Sequence, residues 1–194
     1  PHLTNVKGVS VLVQVRAIAR LEAGQTNAAF EDLKLGFRLS DSIKNEPLLI
    51  DHLVRLATLS ITLQTLREGL ARHAWSDQQL IELEKNLSSM DLLSEYKLAM
   101  RGERACNVEG LNYLRRHRSH FREMVNLGDD GGANQPSIGI YLLVPGGWLY
   151  HNMRTMSEMH QEFTIPAVDE KKHLVFPEML RRADNATAKL ASWG

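Results

Sequence analysis

Glu103 and His52 are the residues of this chain whose types and surroundings could do chemistry together. Glu103 stands in the middle of a helical seam, where a carboxylate is costly unless paired or protonated. His52 lies in line with Leu56, Leu59 and Leu63, and Arg55 follows one turn along. If the two long helices that carry them pack antiparallel, Glu103 meets His52 or Arg55. A carboxyl group of raised pKa beside a histidine is one way to build a general acid, the premise of a hydrolase-like reading. The same contact serves as an ion pair that fixes helix register. No second carboxylate or nucleophile converges on the pair, which favours the structural role and leaves no residue assigned to catalysis. His52, Arg55 and Glu103 are retained as candidate ligand-binding positions.

Trp148 and Tyr150 join them, because with Met153, Met156 and Met159 they could line an adaptable groove. A methionine and aromatic stripe at helical spacing is more often core. The run from Arg115 to Arg122 concentrates positive charge and could meet phosphate or an anionic membrane surface. It lacks the interleaved aromatics of single-strand binders, and a basic helix end complements the helix dipole, so no nucleic acid is expected. His117, His120 and Glu123 could share a metal, but two histidines outside the HExxH pattern are weak grounds, and no metal is assigned. Asp129-Asp130-Gly131 lacks the ligand alternation of a calcium loop. Cys106, the single cysteine, excludes an internal disulfide and reads as a small buried residue of the seam. Gly146-Gly147 is no phosphate loop, and no cofactor is expected.

The elements that must position these residues read as helices. Glu46–His73 is a long helix, apolar on most of its circumference. Leu49, Leu53, Leu56, Leu63, Leu66 and Leu70 cover one side, and Asp51, Arg55, Thr58, Thr62 and Thr65 form one polar stripe at i, i+4, i+7, i+11 and i+14. So broad an apolar surface calls for neighbours on several sides. A first helix is expected from Val9 to Ala23, stopped by Gly24, and a second from a Thr26 or Asn27 cap to Ile43. Ser76 with Gln79 forms a capping box ahead of a short helix to Met90. Asp91 caps a long helix from Leu92 to Val125, whose seam runs Leu92, Tyr96, Ala99, Glu103, Cys106, Gly110, Tyr113 and His117. Leu127–Pro136 has loop chemistry, and Ile138–Val144 is not decided by period. Further helices are expected over Trp148–Phe163 and Glu178–Ser192.

Within Ser10–Lys44, Ala17, Gly24, Ala29, Leu33 and Gly36 fall at the small, turn, small, large and small positions of a tetratricopeptide repeat. The segment resembles one degenerate repeat: Val13 and Arg20 stand at its aromatic positions, and Asp41 replaces its final proline. The strings EPLLIDHLVRLA (Glu46–Ala57), Trp75–Leu80, RGERA (Arg101–Ala105) and PGGWLYHN (Pro145–Asn152) resemble uncharacterised bacterial proteins. In those proteins a helical-hairpin domain sits outside the membrane behind an N-terminal anchor. The resemblance implies a helical fold and an extracytoplasmic, membrane-anchored setting over a cytoplasmic one, and no activity. Any membrane attachment would run through an anchor absent from these residues. The start at Pro1 suits a processed or excised piece.

With 194 residues, 43% hydrophobic, 24% charged and a formal net charge of zero, the chain has the makings of a folded domain without a global field for polyanions. The expected fold is all-α, antiparallel hairpins of about seven helices, tetratricopeptide-like at the N-terminal end. A single helical domain is expected over residues 1–194, with a core over 1–125, a loop over 126–144 and a helical segment over 145–194. The expected function is a non-catalytic scaffold or protein-interaction domain, with a protein partner or self-association. The alternatives are a small-ligand or peptide-binding domain and a hydrolase using Glu103 and His52.

Overall fold

The computed structural model describes residues 2–118 and 145–191. The expectations for Leu127–Pro136, Ile138–Val144, His120 and Glu123, and for the end of the helix that reaches toward Val125, lie outside the described residues. The fold is all-α, with one small two-stranded hairpin. The chain forms two compact units, Pro1–Ala99 and Met100–Gly194.

The first unit opens with α1 (His2–Glu22) and α2 (Thr26–Asp41). Helix α1 starts at His2 rather than Val9, since Gly8, its weakest helix former, is tolerated inside a helix at about 1 kcal/mol. Gly24 takes φ +70° in the turn, where the Gln25 amide donates to the Arg20 carbonyl at 2.8 Å. That tight turn restarts the helix at once. Gln25 therefore occupies the cap position without a side-chain bond, and neither Thr26 nor Asn27 caps. Helix α3 (Leu49–Ala71) packs against both.

The capping box ahead of α4 (Asp77–Ser88) forms as expected: the Ser76 amide donates to Gln79 Oε1 at 2.9 Å and the Gln79 amide to Ser76 Oγ at 3.4 Å. Asp91 caps α5 (Leu92–Arg116), accepting from the Ser94 amide at 3.1 Å. The core of the first unit gathers Leu21, Phe30, Leu33, Phe37, Leu59, Leu66, Trp75 and Leu83. Trp75 meets Phe30 edge-on at 5.7 Å and donates its Nε1–H to the Leu66 carbonyl at 3.1 Å, so its one polar atom is satisfied in the interior.

Periodicity leaves open which way the central helix is turned, and packing decides it. Its polar stripe is buried: Asp51, Arg55, Thr58, Thr62 and Thr65 are each 4% exposed or less. Part of its leucine side faces outward, with Ile50, Leu53 and Leu70 about half exposed, while Leu59 and Leu66 enter the core. The cause is close packing. A Cβ added at Gly36 of α2 would stand 2.6 Å from Thr62 Oγ1, a separation only a glycine opposite a short side chain permits. Threonines admit α2 where leucines would hold it off, and Thr62 satisfies its own hydroxyl by donating to the Thr58 carbonyl at 2.9 Å.

The second unit contains the later turns of α5, then α6 (Gly146–Met159), which runs into a π-helical turn over His160–Thr164. Strands β1 (Val168–Asp169) and β2 (Leu174–Val175) pair antiparallel, Val168 opposite Val175, and α7 (Pro177–Ala191) follows. The hairpin turn is built on Asp169, whose Oδ1 accepts from the amides of Lys171 and Lys172 at 3.1 Å each, with His173 at φ 51°. Met100, Leu114, Leu149, Ala167, Val168 and Ala183 are the buried apolar residues of the second unit among those described.

The Gly36–Thr62 approach makes a stability prediction. Gly36→Ala is expected to cost about 1–3 kcal/mol in a urea melt, and Gly36→Ala with Thr62→Ala to recover part of it. A Gly36→Ala protein as stable as the parent would show that the helices do not meet at this distance.

Candidate functional site

Arg55 is the largest fully buried side chain of the chain's described residues, 1% exposed. A guanidinium never loses its proton, so burial obliges the fold to supply acceptors. Glu95, on the first turn of α5, takes two of its bonds as a fork, Nε to Oε2 at 2.6 Å and Nη2 to Oε1 at 3.0 Å. Nη1 donates to the Ser40 carbonyl and to Asp41 Oδ1, both at 2.8 Å, at the end of α2. Lys44 approaches Glu95 at 3.8 Å from the following turn. One cation thus ties α2, α3 and α5 together.

His52 sits beside this network, 7% exposed, its ring edge-on to Tyr96 at 6.3 Å. Burial lowers its pKa below the ordinary 6.5; Glu95 pulls it up and Arg55 pushes it further down. Burial also holds the Tyr96 phenol up. Arg55 feels the same burial, yet its bonds with Glu95 and Asp41 prevail and raise its pKa. The arrangement is a saturated charge clamp. Arg55 and Glu95 are sealed from solvent, while Asp41 keeps about half its side chain exposed.

The carboxylate expected to meet Arg55 or His52 was Glu103; Glu95, two turns earlier on α5, fills that role. Glu103 belongs to the second unit and is half-buried there. Its charge raises the pKa of His160, which burial, the larger effect, and Arg104 push down. His160 Nδ1 lies 3.0 Å from Thr164 Oγ1 across the π-helical turn. The seam reading also fails at Cys106, which is exposed. Seam spacing alternates threes and fours, so Leu92–Glu95–Ala99 fits it as well as Leu92–Tyr96–Ala99. The signal for Glu95 was present but ambiguous.

Another buried carboxylate, Asp32 of α2, was missed. It is 3% exposed and held by Arg16 at 2.7 Å and Arg20 at 2.8 Å from α1. Two arginines four residues apart, facing an acid among Ala29, Leu33 and Gly36, were the legible sign. Trp148 and Tyr150 are both more than half exposed. Tyr150 lines a shallow cleft of about 330 Å³ with Val108, Met153 and Arg154. His117 stacks on Tyr113 at 4.3 Å. Among the described residues no three His, Cys, Asp or Glu side chains are placed to hold a metal. Comparison with protein-family models, with characterised proteins and with solved structures finds no match to this chain.

Glu95→Ala leaves a buried cation without its forked partner and is expected to cost about 3–5 kcal/mol in a denaturant melt. Glu158→Ala, which breaks an exposed pair with Arg154, costs at most about 1 kcal/mol. Because the folded pKa of His52 is depressed, its neutral form is favoured by folding. That contribution is complete above pH 6.5 and is lost as pH falls below 6.5 toward the folded pKa. Stability measured from pH 8 to pH 5 is expected to fall less in His52→Phe than in the parent, the remainder coming from His160. Parallel curves would remove His52 as a source.

Proposed function

We propose that this chain is a non-catalytic helical interaction domain that associates with a second copy of itself through α1. The observation that carries this reading is the outer face of that helix. Leu12 is 70% exposed and Val15 60%, and with Gly8 and Ala19, both exposed, they recur at intervals of four, three and four. That spacing is the seam a helix offers to another helix, and two copies can pair by a two-fold axis that sets the same stripe against itself. The opposite side of α1, with Val13, Ala17 and Leu21 buried, already serves the interior. Apolar residues on both sides of one helix are more than a single core requires.

The tetratricopeptide-like reading of the first two helices is part of the proposal. Ala17, Ala29, Leu33 and Gly36 are all buried, and Gly24 sits in the left-handed turn, as that pattern needs. The hydrolase alternative required His52 to face a solvent-connected cleft, whereas His52 is buried on Tyr96. Among the described residues no helix is long and apolar enough to cross a membrane.

Sedimentation equilibrium tests the proposal. The parent is expected to shift from monomer to dimer with rising concentration, and Leu12→Glu with Val15→Glu to remain monomeric. Because both side chains are exposed, each change should move fold stability by no more than about 0.5 kcal/mol. A parent that stays monomeric at ~100 μM, a protein–protein affinity far weaker than specific association requires, would sink the reading.

A further inference from the structure

Beside the clamp, the first unit holds a groove of about 520 Å³ between the outer side of α3 and the junction of α4 with α5. Leu56, Leu59 and Leu63 form one wall, and Leu87, Met90 and Leu92 face them. This size and apolar character match small-molecule sites, which span about 300–1,000 Å³ and carry few polar groups. Met90, unbranched and polarisable, lets the far wall adapt to what enters.

The polar groups of the groove are confined to one line. Ser60, Gln64 and Arg67 recur at i, i+4 and i+7 on α3, so they share one edge of that helix. Arg67 is the sole charged residue of the lining. It is exposed and makes no ion pair with any described residue, unlike Arg16, Arg20, Arg55, Arg72, Arg154 and Arg181. An apolar trough with one uncompensated cation on its edge is complementary to an anion that carries an apolar body.

We propose that this groove binds a monocarboxylate with an unbranched alkyl tail, the tail lying among the leucines and Met90 and the carboxylate meeting Arg67. The guanidinium matches a carboxylate with two parallel hydrogen bonds, and Ser60 and Gln64 add donors along the same edge. A purely apolar ligand would leave Arg67 unused, and a compact anion would leave the trough unfilled.

The test uses the full chain with sodium decanoate below its micellar concentration, followed by isothermal titration and by methyl resonances of Leu56, Leu63 and Leu87. Affinity is expected to rise about fourfold per added methylene from hexanoate to decanoate, the factor for burying one CH₂. Arg67→Gln, an exposed change that leaves the core untouched, is expected to weaken decanoate at least fivefold and leave decanol unchanged. Leu12→Glu with Val15→Glu should bind decanoate as the parent does, which separates this site from self-association through α1. Absence of methyl shifts at millimolar decanoate would overturn the proposal. So would an unchanged decanoate affinity in Arg67→Gln, or an affinity independent of chain length.

Discussion

The first unit depends on the burial of Arg55. A permanently charged side chain that is 1% exposed cannot be left without acceptors, and the fold meets that demand from two other elements, the end of α2 and the start of α5. The requirement runs both ways. Ser40 and Asp41 can serve Arg55 only if α2 ends where it does, and Glu95 only if α5 begins with its first turn against α3. Charge pairing of this kind adds little net stability compared with apolar packing, but it allows few alternative registers.

The same constraint explains why the central helix is turned with its polar side inward. Threonines beside Arg55 are short enough for α2 to approach until Gly36 meets Thr62. The leucines that remain outside are then free to serve something else. Some shape the groove at α4 and α5, while on α1 a separate apolar stripe stays uncovered. The charge clamp inside and the exposed leucines of α3 are two consequences of one packing choice.

Two of the buried carboxylates of the first unit, Asp32 and Glu95, do similar work at different places. Asp32 draws Arg16 and Arg20 from α1 onto α2, while Glu95 draws Arg55 from α3 onto α5. Among the described residues of the second unit the ionisable groups are mostly at the surface, and none forms a comparable clamp beside the shallow cleft at Tyr150. Its small hairpin owes its turn to Asp169 capping two amides, a local device rather than a tertiary one.

Helix content, the Gly24 turn, the capping box at Ser76 and Gln79 and the Asp91 cap were decided by the sequence, because each rests on bonds within a few residues. Periodicity also identified the stripe Asp51–Arg55–Thr58–Thr62–Thr65, but not which way it faces. That choice depends on how closely another helix can come, which Gly36 sets from elsewhere in the chain. Likewise a seam spaced by threes and fours admitted Glu95 and Tyr96 equally, and only the position of Arg55 selected the acid. Helical period reports which residues share a face. What lies against that face is a property of the packed chain, settled where buried charge finds its acceptors.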